Sequence, residues 1–375
     1  MRETKRYSID KSYKENYDLT AKCVKAKWDT IAKPIDSLGM LEDYVVKLCA
    51  ISGSTSPYEL GRRAVVSMCA DHGVVCEGVT QTGSEVTRIV AENFAGGCSC
   101  VNYMSAIANA DVFAIDMGMD TEEYPNREMV TGAIINRKIA RGTKNLAVES
   151  AMSIDECIRA IDAGIDTVAR LKEQGYSIIA TGEMGIGNTT PTSVLAALML
   201  NLSAEEVTGR GAGLDNTGLD RKIQVVKKAI SRVRNSVSKD EDMTIRILAE
   251  AGGFEIAGMA GLFLGGAKYR LPIIIDGAIS AISALVASRI DSSVADFALA
   301  SHVSEELTGR LALEELKLEA ILKGHMCLGE GSGAVAIIPL LDMGMNVYRN
   351  MGTFAELSID AYDRSGKPQC ESTGT

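Results

Sequence analysis

Apolar positions along this chain follow two different spacings. Short, continuous apolar runs occur at 64–70, 112–116, 176–180 and 271–275, each bounded by Gly, Asp or other polar residues. Runs of this length, rich in Val and Ile, read as buried strands. Between them the apolar residues recur with helical spacing. In 17–31 they are Leu19, Cys23, Ala26, Trp28 and Ile31, and Lys33-Pro34 ends the pattern. Further helices are expected at 40–51, 85–94, 154–174, 279–288 and 312–322, after Asp215, and from 333 on to Met351. Strand, helix and strand alternate, the pattern of a parallel sheet with helices on its faces; the class is α/β. Residues 1–60 carry no strand pattern and are expected to form an accessory helical layer or a subunit interface.

One stretch stands apart from the alternation. Ala180-Thr181-Gly182-Glu183-Met184-Gly185-Ile186-Gly187-Asn188-Thr189-Thr190-Pro191 joins a strand to a run of good helix formers. Thr190 is expected as N-cap and Pro191 at the first helical position. The glycines let the backbone approach a ligand closely, and the open amides of a helix start favour a phosphate or carboxylate. A tight turn needs glycines, but it needs neither Glu183 nor Asn188. Two other glycine clusters follow, at 209–215 and 328–333. Several strands end in Asp and Gly, so loops around Asp71, Asp116, Glu183, Asp276 and Glu330 are expected to meet in a crevice at the carboxyl edge of the sheet.

Composition narrows the chemistry. The net charge of −10, from 49 acidic and 39 basic residues, argues against nucleic-acid binding, which rests on clustered Lys and Arg. The most apolar stretch, 256–267, is broken by glycines and too short to span a bilayer. The N-terminal residues are polar, without an apolar signal core. Nine cysteines without a C-x-x-C pair, and three histidines far apart, suit neither a structural zinc nor a disulfide framework. The expectation is a reduced, cytoplasmic protein with no metal and no cofactor.

The motifs TGEMGIGNTTPTSVLAALM, GRGAGLDNTGLDRK, GGFEIAGMAG, IIIDGAIS, SHVSEE and LGEGSGA stand in this order, preceded by KPIDSLGMLE and ADHGVVCEGVTQTGSEVT and followed by TFAEL. Together they resemble the nicotinate-nucleotide–dimethylbenzimidazole phosphoribosyltransferase family over roughly residues 25–357. The resemblance implies a Rossmann-like parallel sheet flanked by helices, about 61–334, and a smaller helical domain from 1–60 plus about 335–375. It implies transfer of 5-phosphoribosyl from nicotinate mononucleotide to a lower-ligand base, in a homodimer or in a heterodimer with a paralogue. By the same resemblance Glu330 is the general base. Glu183, Gly185, Gly187, Asn188, Lys222, Asp276, Ser304, Leu328 and Gly329 are the substrate-binding positions, and Thr80 and Arg88 the base pocket.

Plainer readings compete at several of these positions. Glu330 between glycines suits a helix start, Lys222 a solvated helix face, and Ser304 a helix N-cap. His72, after the first strand, is assigned no chemistry. Thr80 and Arg88 stand where the family often has Ser and Gln, and Cys327 where Arg is common, which leaves the accepting base open. The alternatives in function are a nucleotide-binding subunit without catalysis, expected to lack the LGEG carboxylate, and a dehydrogenase. No G-x-G-x-x-G follows the first strand, which weakens the latter.

Overall fold

The computed structural model describes residues 3–238 and 242–362. Two compact units emerge: Met1–Lys11 with Glu59–Pro339, and Ser12–Tyr58 with Leu340–Thr375. The polar tail after Asp363 lies outside the described residues.

The larger unit is built on one six-stranded sheet in the order β3-β2-β1-β4-β5-β6. The strands are β1 (Arg62–Ala70), β2 (Ala110–Gly118), β3 (Ile134–Asn136), β4 (Tyr176–Met184), β5 (Ile273–Ile275) and β6 (Ala298–Ala300). Every neighbouring pair is parallel. This is the Rossmann-like order, with the direction of winding reversing between β1 and β4. β1 is buried without interruption from Ala64 to Ala70, as a strand covered on both faces must be. Its register sets Met68 opposite Glu183 and Cys69 opposite Met184. β4 therefore continues four residues past the expected strand end at Ala180, and the turn proper starts at Gly185.

The helices of this unit are numbered after the two of the smaller one, α1 (Lys14–Thr30) and α2 (Met40–Ser52). They are α3 (Glu85–Gly96), α4 (Cys100–Ala108), α5 (Ile154–Glu173), α6 (Thr189–Leu200), α7 (Ala204–Val207), α8 (Asn216–Ser236), α9 (Met243–Ala251), α10 (Phe254–Tyr269), α11 (Ala278–Ile290), α12 (Val294–Phe297), α13 (Leu307–Glu315) and α14 (Ser332–Ala336), with α15 (Ile338–Asn350) running on into the smaller unit. The most apolar stretch of the chain is α10, buried from Phe254 to Ala267. Its glycines press on α5: a Cβ on Gly261 would lie 2.1 Å from the Ile161 carbonyl oxygen. Among the described residues no helix is long and apolar enough to cross a membrane.

Three expectations need correction. Residues 3–11 pack with the larger unit rather than with the helical one: Thr4 donates to Asp242 at 2.9 Å and Arg6 pairs with Asp162. The Leu-rich helix starts and stops early, ending at Glu315 because Lys317 turns left-handed at φ +55°. There Leu318 N–H reaches the Leu313 carbonyl, a Schellman-type stop without glycine. In the glycine-loop helix Asn188, not Thr190, occupies the N-cap position, and Pro191 is the third helical residue. Pro191 still lies in the first turn, where a missing N–H breaks no helical bond.

In the smaller unit, α1 and α2 bury Val24, Trp28, Val45 and Leu48. The Trp28 ring packs on Tyr348, and Lys33 meets the buried Glu42 at 2.6 Å.

Candidate active site

A cavity of about 650 Å³ opens at the carboxyl ends of β4 and β5. Thr80, Glu183, Gly185, Gly187, Asn188, Asp276, Ser304, Leu328, Gly329 and Glu330 all line it. Lys222 stands just behind the wall, and Arg88 lies outside it.

The glycine loop is held from below. Ile186 N–H donates to Thr87 Oγ1 on α3 at 3.0 Å. Asp71, at the end of β1, receives the Asp120 N–H at 2.7 Å and is a second partner of Thr87. A Cβ on Gly185 would come within 2.6 Å of the Ala70 carbonyl oxygen, and Gly187 has φ +90°, so both positions require glycine. Glu183, next to last in β4, lines the cavity and accepts from Asn188 Nδ2. Burial, reinforced by the charges of Asp276 and Glu255, pushes its carboxyl up to about 8. Glu183 is therefore protonated at neutral pH.

The lysine is no solvated face residue. Lys222 is fully buried on α8, and its Nζ donates to Thr189 Oγ1, on the cavity wall, at 2.6 Å. Burial pulls the ammonium down to about 8, and the nearby Glu306 charge opposes that. Glu306 is itself raised by burial. Ser304 Oγ accepts the Glu306 N–H at 3.2 Å just ahead of α13, the capping-type contact that competed with a ligand role.

Packed against β4, the LGEG segment follows a tight left-handed path, with Glu330 at φ +64°. A Cβ on Gly329 would lie 2.4 Å from Glu183 Oε1, so the two acidic segments touch. The Glu330 carboxylate is half-buried and accepts the Val101 N–H, at the start of α4, at 3.3 Å. Burial raises its pKa above the usual carboxylate range, and that N–H partly offsets the rise. It thus complements a helix start, as the plainer reading held, but that of α4 and not its own. The Asp276 carboxylate, expected to bind substrate, is occupied by the backbone of the same segment.

Thr80 is half-buried in the wall beside Val79 and Gln81, whereas Arg88 is exposed and pairs with Glu92 one turn on at 3.0 Å. Arg88, expected in the base pocket, is thus not brought to this cavity: its position on α3 turns it toward solvent. The sequence reading missed Gln81, which donates to the Gly213 carbonyl and joins two loops, and Thr189, Glu306 and Val101. The S-x-x-N box at Ser99 and Asn102, which caps α4, was a readable sign of a helix start there.

The cavity wall thus brings together a half-buried carboxylate, Glu330, and a helix start with the buried Lys222 behind Thr189. A family model described as Phosphoribosyltransferase matches residues 15–359. The nicotinate-nucleotide–dimethylbenzimidazole phosphoribosyltransferase of Acetivibrio thermocellus is 41% identical over 355 residues, covering 95% of this chain and 97% of that protein. The enzyme of the same name from Clostridium acetobutylicum is 41% identical over 339 residues, covering 90% of this chain and 93% of its own length. The crystal structure of CobT from Thermus thermophilus superposes with a TM-score of 0.84 at 36% identity, covering 93% of this chain and 100% of that one. With a match on this scale in sequence and fold, the chain belongs to the nicotinate-nucleotide–dimethylbenzimidazole phosphoribosyltransferase family.

Proposed function

We propose that this protein transfers the 5-phosphoribosyl group of nicotinate mononucleotide to a lower-ligand base, giving an α-linked nucleotide and free nicotinate for cobamide synthesis. The observation that carries the reading is Glu330, a half-buried carboxylate with a raised pKa on the cavity wall. Nicotinate leaves as a pyridine from a pyridinium, already cationic, so departure requires no general acid. The incoming azole loses its N–H proton as it attacks C1′, and Glu330 accepts that proton. General-base assistance of this kind is worth ~10²–10⁴-fold in rate. Attack on the face opposite nicotinate inverts the β-nucleotide to the α-product.

The 5′-phosphate rests at the start of α6, where Gly185, Gly187 and Asn188 line the cavity, and Lys222 supplies charge from behind Thr189. Neutral Glu183 acts as a hydrogen-bond donor toward the substrate rather than as a competing base. The acceptor lies by Thr80 and Leu328, among mostly neutral groups, with the Arg88 charge engaged by Glu92. This surrounding favours dimethylbenzimidazole over an acceptor that seeks a cation. A homodimer in the cytoplasm belongs to the same proposal and rests on the family resemblance. The reading of a subunit without catalysis is not favoured, since the LGEG carboxylate is present.

The test is to mix the protein with nicotinate mononucleotide and, separately, dimethylbenzimidazole, adenine and p-cresol, and to measure nicotinate release. Release driven by dimethylbenzimidazole supports the proposal; nucleotide binding without release supports the non-catalytic subunit.

A further inference from the structure

Three successive residues of the LGEG segment, Gly329 (φ +86°), Glu330 (φ +64°) and Gly331 (φ +99°), occupy the left-handed region. For glutamate this conformation is strained and persists only where the surroundings over-determine it. Asp276, buried at the end of β5, supplies that determination. Its Oδ2 accepts the Gly331 N–H at 3.1 Å, and its Oδ1 accepts Gly333 N–H at 2.7 Å and Ala334 N–H at 3.0 Å. The Gly277 N–H is a further donor to the same carboxylate. From the other side Ser67 Oγ donates to the Glu330 carbonyl at 3.2 Å. A carboxylate has about four lone-pair sites, and the backbone donors to Asp276 are equal to that number. Its acceptor capacity is spent within the protein.

We infer that Asp276 is a positioning residue: it clamps the backbone that follows Glu330, fixes the direction of that side chain, and makes no hydrogen bond to the nucleotide. The inference rests on the reading of Glu330 as the base, and it replaces the substrate-binding place expected for Asp276. The packing agrees. A Cβ on Gly333 would fall 2.0 Å from His302 Nδ1, so the segment has no room to settle elsewhere while the clamp holds.

Asp276→Asn keeps the shape but turns one acceptor into an N–H₂ group facing backbone N–H donors. The expected result is a ~10²-fold or larger fall in kcat, the scale of an ångström of misplacement. The Kd for nicotinate mononucleotide should change by less than ~3-fold, and amide exchange at Gly331, Gly333 and Ala334 should accelerate at least ~10-fold. A Kd weakened ~10-fold with unchanged exchange at these amides overturns the inference, because that is the signature of a lost substrate contact. A second measurement needs no variant: a crystal structure of the wild-type protein with nicotinate mononucleotide. Asp276 held by the four backbone donors, with no polar atom of the nucleotide in hydrogen-bond range, supports the clamp; a ribose hydroxyl on Asp276 overturns it. If the wild type binds the nucleotide but releases no nicotinate with any acceptor, the proposed function fails, while the exchange and crystallographic results still decide the clamp.

Discussion

The Glu330 carboxylate accepts the N–H of Val101, at the second residue of α4, at 3.3 Å. Two opposed effects meet in this bond. The positive end of the helix favours the ionised carboxylate, while burial disfavours it, and burial prevails. The balance leaves a stronger base than an exposed glutamate. A base must be deprotonated to work, so kcat should rise with pH through a single ionisation above the usual glutamate range and then level off. A kcat profile flat down to pH 4 would contradict this role.

Glu183 carries the opposite expectation for stability. Its folded pKa of about 8 stands above the ordinary value of 4.5, so the native state holds a proton that the unfolded chain gives up. The group's contribution to stability is complete below 4.5 and is lost as pH climbs through about 8. Glu183→Gln removes the titration while retaining an acceptor for Asn188. The variant should match wild type in Tm at acid pH and exceed it by several degrees near pH 9, as thermal unfolding across that range will show.

Lys222 is a buried charge that donates to Thr189, the first residue of α6. Lys222→Ala should raise KM for nicotinate mononucleotide ~10–100-fold, the worth of one charge-assisted hydrogen bond, with kcat little changed. In the wild type the ammonium titrates at about 8, so KM should climb above that pH as the charge is lost. Steady-state kinetics from pH 6 to 9.5 check both statements, and weaker competition by inorganic phosphate in the variant is a third readout.

Arg88 faces solvent with Glu92, an exposed pair one helical turn apart worth about 0.3–0.5 kcal/mol. Arg88→Gln should therefore leave the ranking of dimethylbenzimidazole, adenine and p-cresol unchanged in a competition assay. A changed ranking in this variant would return Arg88 to the pocket.

The sheet could be read from the chain because β1, β2 and β4 are long and apolar, and β5, though short, is a run of Ile closed by Asp276-Gly277. β3 and β6 could not, since Ile134–Asn136 and Ala298–Ala300 are too short to show a period. The helix assigned through Leu322 was over-extended for a related reason: Leu and Glu keep helical spacing beyond Glu315, but nothing in them announces the left-handed Lys317. At the site, the glycine loop declared itself through residues a turn does not need. Lys222 did not, because its burial depends on Thr189 and Glu306 approaching from other elements. The backbone contacts of Asp276 were hidden for a similar reason: a carboxylate at a strand end looks alike in sequence whether it faces a ligand or a backbone turn.

The most direct test of the account is Glu330→Gln, measured for turnover and for nucleotide binding in the same preparation. The change keeps the size of the side chain and an acceptor for Val101 N–H while removing the basic oxygen pair. The account predicts a kcat with dimethylbenzimidazole lowered ~10²–10⁴-fold and a Kd for nicotinate mononucleotide within about threefold of wild type. Turnover close to wild type in that variant would contradict it.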